Sequence, residues 1–533
     1  MSNEYVSIGR RGLVARWRAG ALVLAVAGVA LTGCGSSKTK VGGGGVGEGG
    51  AKAPLALTGQ LTSNDPAKDN NLDIYGVNLL YDALIHMNPD GSFAPQLATE
   101  WGYVGEGNKA FELTLRDGAT FADGSALDAK AVAAWLKYSK RTGLQTGLGD
   151  VSSIAATGPL KVRINLSKPN PVMPYSLSDQ NVSGYVASPK CAARPALFAK
   201  ENCGSGQYIL DFGRTTPGSV WQFAPNPKYH DPSSVKFSQV TLRAIGTPTT
   251  AFQALQSGQV DAVTLVTSDG SLAGRASSAG FAVYDKDNPS LCPYLALDVD
   301  GVVAKPLANV KVRQAMNYAV DRKAIGAAYA GKYAFPIYEL VTTDGFDPKY
   351  AKYYSYDPAK AKQLLAEAGY PDGFSLSNAI ATTMDPKWAK VAQVAAKNLG
   401  DVGIKVKYNY APTPQAWAKA ATTSTDSPLL VSASSCSVPM WYQYRVNLPP
   451  FNNFGGKGWS DATLNDLFEK STAASDPKVA ASYAKQMTAR MVTEALYVPL
   501  FATQGVMYAD KDIKGIKLTL EHPVALPTEW SRG

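Results

Sequence analysis

Histidine, paired cysteines and clustered charge are scarce in this 533-residue sequence. The three histidines, His86, His230 and His522, lie far apart, and the five cysteines include no C-x-x-C. That is too little for a histidine-rich metal store or a zinc cluster, and it disfavours a dithiol redox enzyme. No H-E-x-x-H occurs, and Gly331-Lys332 is followed by Tyr333, so a G-x-x-x-x-G-K-[ST] phosphate loop is absent. Gly105-Glu106-Gly107-Asn108-Lys109-Ala110 echoes a dinucleotide loop but precedes a strand pattern, where a helix would be needed. Ser205, in Cys203-Gly204-Ser205-Gly206, lacks the first glycine of a nucleophile elbow. Charged residues are only 18% of the chain, and Arg10, Arg11, Arg16 and Arg18 against Glu4 supply three of its nine net positive charges. The remainder carries no basic run, so a nucleic-acid partner is not expected. No internal repeat is visible, and no catalytic residue, metal ligand or cofactor is assigned.

The apolar share of 45% is that of a globular chain, and the length suggests about three domains. Four N-terminal arginines precede the apolar run Ala19 to Leu31. That run is shorter than the roughly 20 residues a membrane span needs, and it reads as an export signal over residues 1–33. Leu31-Thr32-Gly33-Cys34 resembles the bacterial lipobox, in which the cysteine is acylated and becomes the first mature residue. A Gly-rich tether, residues 34–50, follows and would span roughly 20–25 Å as a flexible coil. General secretion fits better than twin-arginine export through Arg10-Arg11. The expected location is the outer face of the bacterial cytoplasmic membrane, held by the lipid anchor alone. In that oxidising setting Cys191, Cys203, Cys292 and Cys436 read as two disulfides. Cys191 and Cys203 are close in sequence and pair across a loop containing Pro195, which leaves Cys292 for Cys436.

Periodicity describes a mixed α/β body. Phe111-Glu112-Leu113-Thr114-Leu115 alternates as a half-buried strand does, and Val162, Ile164 and Leu166 mark another. Asp128 caps a helix with Val132, Trp135 and Leu136 on one face. Residues 169–195 look irregular. Strands are expected at Val220–Phe223, Val240–Ile245, Val260–Val263, Ile404–Tyr408 and Leu429–Val431, with a short helix from Thr250 to Ser257 stopped by Gly258. The best helical pattern runs unbroken from Asn309 to Ala330, with Val312, Met316, Ala319 and Val320 buried and Gly331 as its stop. Asp357-Pro358 opens a further helix ending at Gly369, and Ala480 to Ala495 forms a late one. Aromatic residues are abundant, and Trp441-Tyr442-Gln443-Tyr444 with Phe451, Phe454 and Trp459 make the densest cluster. Core packing and a binding cleft both use such rings. The Pro- and Gly-rich setting favours a cleft.

Six landmarks, in order, resemble one family. They are Phe111 to Gly124, Gly206-Gln207-Tyr208, Asn226-Pro227-Lys228-Tyr229, Gln256 to Asp261, Val312 to Arg322, and Tyr356-Asp357-Pro358 through Pro371. This pattern resembles the extracellular solute-binding proteins of peptide- and nickel-type ABC importers, over about Leu57 to Lys517. The resemblance implies an α/β, two-lobed periplasmic-binding-protein-like fold with a hinge between the lobes. Domain I would be 51–75 plus 206–291 plus 500–533, domain II 76–205, and domain III 292–499. It implies a monomer that is not an enzyme and that passes a small solute to permease subunits with their own ATPase. The ligand would meet Thr62, Ser63 and Tyr75 of domain I, and Phe501 and Thr503 where the chain returns to it. From domain III it would meet Tyr294, Ser435, Cys436, Val438, Trp441, Tyr442 and Phe454. Arg313, Asp321 and Arg322 would be scaffold, with Asp321-Arg322 an ion pair or helix cap.

One departure bears on the ligand. Peptide-binding relatives carry Trp, Cys and then Asp in the turn where the peptide ammonium is held. Here the matching run is Ser434-Ser435-Cys436-Ser437-Val438, with Ser435 for the tryptophan and Val438 for the carboxylate. A buried ammonium without a counter-ion costs several kcal/mol. Either another acid such as Asp426 serves, or the ligand has no free α-amine. A peptide or peptide-like solute is the expectation; an oligosaccharide, a carboxylate-dyad glycoside hydrolase and a surface sensor remain the alternatives.

Overall fold

The structure is a computed structural model that describes residues 52–69, 73–142, 146–264, 272–382, 386–412, 416–417, 419, 426–447, 460–519 and 525–533. The signal, Cys34, the tether, Phe454 and His522 lie outside the described residues. Local chemistry sets most elements. Phe111, Leu113 and Leu115 alternate inward in the strand Ala110–Leu115, which joins Ala98–Tyr103, Lys161–Leu166 and Val151–Ala156 in a four-stranded antiparallel sheet. The helix Ala129–Thr142 starts where the Asp128 carboxylate accepts from the Ala131 amide at 2.8 Å, and it lays Val132, Trp135 and Leu136 on the core. Residues 169–195 are less irregular than their composition suggests. Short helical turns at Met173–Ser176, Val182–Gly184 and Pro189–Ala193 bury much of this stretch.

The largest sheet has twelve strands and carries the architecture. At one end Leu55–Thr58 lies between Val240–Arg243 and Ala262–Val263, all three parallel, with Val220–Pro225 and Tyr208–Leu210 continuing the edge. At the other end Phe374–Thr382 is parallel to both Ile404–Ala411 and Leu429–Ser435. Two long antiparallel strands, Ala282–Leu297 and Phe501–Ala509, run between the two parallel sets. Apolar burial forms one large cluster beneath the first set and the four-stranded sheet, and a second beneath the other parallel set and its helices.

The expected helix from Asn309 to Ala330 is two helices, Val310–Ala319 and Arg322–Ala330. The break has a physical cause. Val320 is extended, and the buried Arg322 guanidinium donates to the carbonyls of Asn317 (2.8 Å), Pro499 (2.8 Å) and Tyr354 (3.0 Å). Asp321 caps the second helix through the Ala324 amide at 2.9 Å. Arg322 therefore ties three chain segments together through carbonyls. Arg313 does the same, reaching Leu307 O at 2.8 Å and Glu494 O at 2.8 Å. Both disulfides form, Cys191 with Cys203 and Cys292 with Cys436, with Cα atoms 6.1 and 5.7 Å apart.

Candidate functional site

Strand direction locates the candidate site. The first parallel set ends at Thr58, Arg243 and Val263, and the second at Thr382, Ala411 and Ser435. Phe501–Ala509 pairs Tyr508 with Val263 and then Ala509 with Ala262, so it enters the first set from that set's C-terminal edge. Ala282–Leu297 pairs Leu291 with Ser435 and Leu297 with Leu429, so it likewise enters the second set from its C-terminal edge. The two C-terminal edges therefore face each other across the crossing strands. In open α/β sheets ligands bind outside the carboxyl ends of the strands.

On the first edge, Thr58 and Thr264 lock together: the Thr264 amide donates to Thr58 Oγ1 at 2.7 Å, and the Thr264 hydroxyl donates to the Thr58 carbonyl. Tyr75 is buried in the helix Ile74–Leu80 with its hydroxyl hydrogen-bonded to Thr264, and burial raises its pKa well above the ordinary phenol value. Thr62 is exposed, and both its amide and hydroxyl donate to the Asp73 carboxylate, whose other oxygen is enclosed without a partner. Ser63 is half-buried and donates to the Asp65 carbonyl at 3.3 Å.

On the second edge the turn after Ser435 is over-determined. Thr342 gives both its amide (3.0 Å) and its hydroxyl (2.8 Å) to the Cys436 carbonyl. Thr343 donates to the Val438 carbonyl at 3.1 Å, the Ser437 hydroxyl donates to the Pro289 carbonyl, and Gln443 holds the Ser435 carbonyl at 2.7 Å. Ser435 and Val438 are half-buried here. Asp426 precedes the opposite end of the strand Leu429–Ser435 and is exposed, so it does not supply a carboxylate to this turn. Asp344 does lie beside it, accepting from the Met440 amide at 2.8 Å. Sequence reasoning missed Asp344, because nothing in the chain brings residues 342–344 against 436–440 until the fold does.

Trp441 and Tyr442 are placed elsewhere than on an open cleft wall. Both are nearly buried, packed on Met87, Val172 and Tyr175 from the segment expected to be domain II. The Tyr175 and Tyr442 rings meet edge-to-face at 5.2 Å, and Asn181 Nδ2 donates to the Tyr442 hydroxyl at 3.0 Å. Arg445 lies over the Trp441 ring at 5.2 Å and pairs with Asp150 at 3.4 Å. Asn108 adds bonds to the carbonyls of Thr472 (2.9 Å) and Ala474 (3.1 Å). Together these contacts form an aromatic and polar latch between two segments distant in sequence. Tyr294, Phe501 and Thr503 are fully enclosed in or beside the crossing strands.

The comparisons with known proteins bear on this frame. The family model for bacterial extracellular solute-binding proteins, family 5, matches residues 92–448. The chain belongs to this family. A glutathione-binding protein, GsiB, of Shigella dysenteriae serotype 1 is 26% identical over 500 residues, covering 86% of this chain and 91% of that protein. The solved structure of the binding protein AgaA in complex with agropinic acid, from A. tumefacien R10, superposes with a TM-score of 0.74 at 22% identity, covering 91% and 99% of the two chains. A dipeptide-binding protein from Pseudoalteromonas sp. SM9913 in complex with Met-Leu gives 0.73 at 20% identity, covering 90% and 100%.

The chain is thus the solute-binding component of an ABC importer and not an enzyme. Its remaining titratable groups fit that role. His86 Nδ1 meets Asp179 at 2.5 Å; burial disfavours the charged imidazole, but the bond and charge of that carboxylate outweigh it and raise the pKa. His230 lies 3.8 Å from Asp82 and is held down by burial. Gly105 and Gly107, both at positive φ, sit in the turn between two antiparallel strands. Glu339 is 3% exposed, and burial pushes its carboxyl up to about 8 against the opposing pull of the Asp347 backbone amide.

Proposed function

We propose that this chain captures a peptide or peptide-like solute between two lobes and hands it to membrane permease subunits powered by a separate ATPase. The observation that carries this reading is the opposition of the two C-terminal strand edges across the crossing strands. The lobes are domain I (51–75, 206–291 and 500–533) with domain II (76–205), and domain III (292–499). Bending at the two crossings would open and close them, with the ligand favouring the closed form by its differential affinity. Thr62, Ser63 and Tyr75 would face Ser435, Cys436 and Val438 across the gap. The protein would act as a monomer held to the outer face of the cytoplasmic membrane by acylated Cys34 and the Gly-rich tether.

A peptide-class ligand is supported by the glutathione-binding relative and by the Met-Leu bound in a similar fold. An oligosaccharide platform at Trp441 and Tyr442 is not favoured, because those rings are already occupied by the latch. Native mass spectrometry of protein purified without refolding tests the reading. Retention of a peptide-like mass supports it, and retention of a sugar overturns it.

A further inference from the structure

Among the described residues, arginines that this fold takes out of solvent find partners, with one exception. Arg116 and Arg322 donate to carbonyls at 2.7 and 2.8 Å, and Arg163, Arg445 and Arg490 meet carboxylates at 2.9, 3.4 and 2.6 Å. Arg243 is half-buried, and among the described residues it meets no carboxylate or carbonyl. Its Nε is enclosed with no hydrogen-bond partner. An enclosed donor left unpaired costs about 1–3 kcal/mol, so such groups are normally satisfied. Position supplies the reason for the exception. Arg243 is the last residue of its strand, aligned with Thr58, on the edge that faces the second strand set. The acid of this strand set, Asp261, lies at the other end, where it accepts from the Ala56 amide and pairs with Arg532 at 2.7 Å. The helix Pro248–Gln256 also begins at this edge, and its N-terminal dipole adds positive potential there. Across the gap, the Ser434 hydroxyl, one residue from the end of its strand, is likewise enclosed and unpaired.

We propose that Arg243 is the anion-binding residue of the cleft, pairing through its guanidinium with a carboxylate of the solute. This rests on the reading of the facing edges as the binding cleft, but not on the ligand being a peptide. A guanidinium offers two parallel N–H donors to a carboxylate, whereas an ammonium offers a point charge. The solute class is therefore one with a carboxylate at one end, and the first lobe supplies its counter-charge.

Calorimetry on the mature protein tests this with five probes: Ala-Ala-Ala, its C-terminal amide, glutathione, gluconate and cellobiose. At least one carboxylate should bind the wild type, and where the peptide acid binds it should exceed its amide by roughly ten- to hundredfold, the range of a charge-assisted hydrogen bond. Arg243→Gln should abolish that preference, and Arg243→Lys should keep only part of it. The lysine variant preserves charge, so it serves if the glutamine variant fails to fold. Gluconate binding that depends on Arg243, without peptide binding, would support the residue's role while overturning the peptide reading. Equal affinity for acid and amide, carboxylate binding indifferent to Arg243, or binding of cellobiose alone would overturn the proposal. So would failure of every carboxylate to bind.

Discussion

Val438 sits in a turn whose backbone is fixed by Thr342, Thr343, Ser437 and Gln443, and its half-buried side chain packs in part on the Trp441–Tyr442 cluster. Val438→Asp should place a carboxylate on the second strand edge and raise affinity for free-amine peptides relative to their N-acetylated forms, by roughly tenfold or more. Paired calorimetric titrations check this, and an unchanged ratio would show that Val438 faces away from the ligand amine. Glu339 poses a different residue-scale question. Unfolded, its carboxyl ionises near the ordinary glutamate value; folded, burial keeps its proton until about pH 8, outweighing the Asp347 amide that favours the carboxylate, while the Asp347 charge adds a smaller repulsion. Folding therefore takes up a proton between those values, and stability falls as pH rises through that window. Glu339→Gln should match the wild type near pH 4 and exceed it by roughly a few kcal/mol at pH 9, measured by chemical denaturation. A parallel pH dependence in both proteins would remove Glu339 as its source.

At the scale of elements, the latch and the long disulfide do separable work. The latch joins Tyr442, Trp441 and Arg445 to Tyr175, Asn181 and Asp150, none of which lies on the facing strand edges. Tyr442→Ala should therefore weaken binding of every solute by one common factor, through a smaller closed population. Small-angle scattering should show a wider ligand-free particle. A solute-dependent loss would mean that Tyr442 touches ligand directly. The Cys292–Cys436 bridge closes 144 residues of sequence, and removing it as Cys292→Ser with Cys436→Ser should cost about 2–5 kcal/mol. Solute affinity should survive that change, because Thr342 and Ser437 still hold the turn.

For the whole molecule, the proposed lipid attachment and the proposed capture of solute belong to different parts of the chain. Cys34→Ala should release the protein from the membrane fraction while leaving solute affinity unchanged. A cleaved variant that stays with membranes would overturn the lipobox reading.

Strand and helix positions were legible in the sequence wherever a local rule governed them. Asp128 and Asp357 cap their helices by a side chain that bonds an amide three residues on, and Gly258, Gly331 and Gly369 occupy positive φ at helix ends. The helix break at Val320 was not legible, because the carbonyls that capture Arg322 come from Pro499 and Tyr354, far away in sequence. The same limit governs the site. The sequence by itself determined the family and which cysteines were available to pair. Only the tertiary structure decided that Trp441 and Tyr442 close a latch, that Asp344 and not Asp426 lies beside the turn, and that Arg243 stands unpaired on the facing edge. Those outcomes depend on which strands become neighbours and in which direction they run, and a one-dimensional pattern of residues does not carry that information.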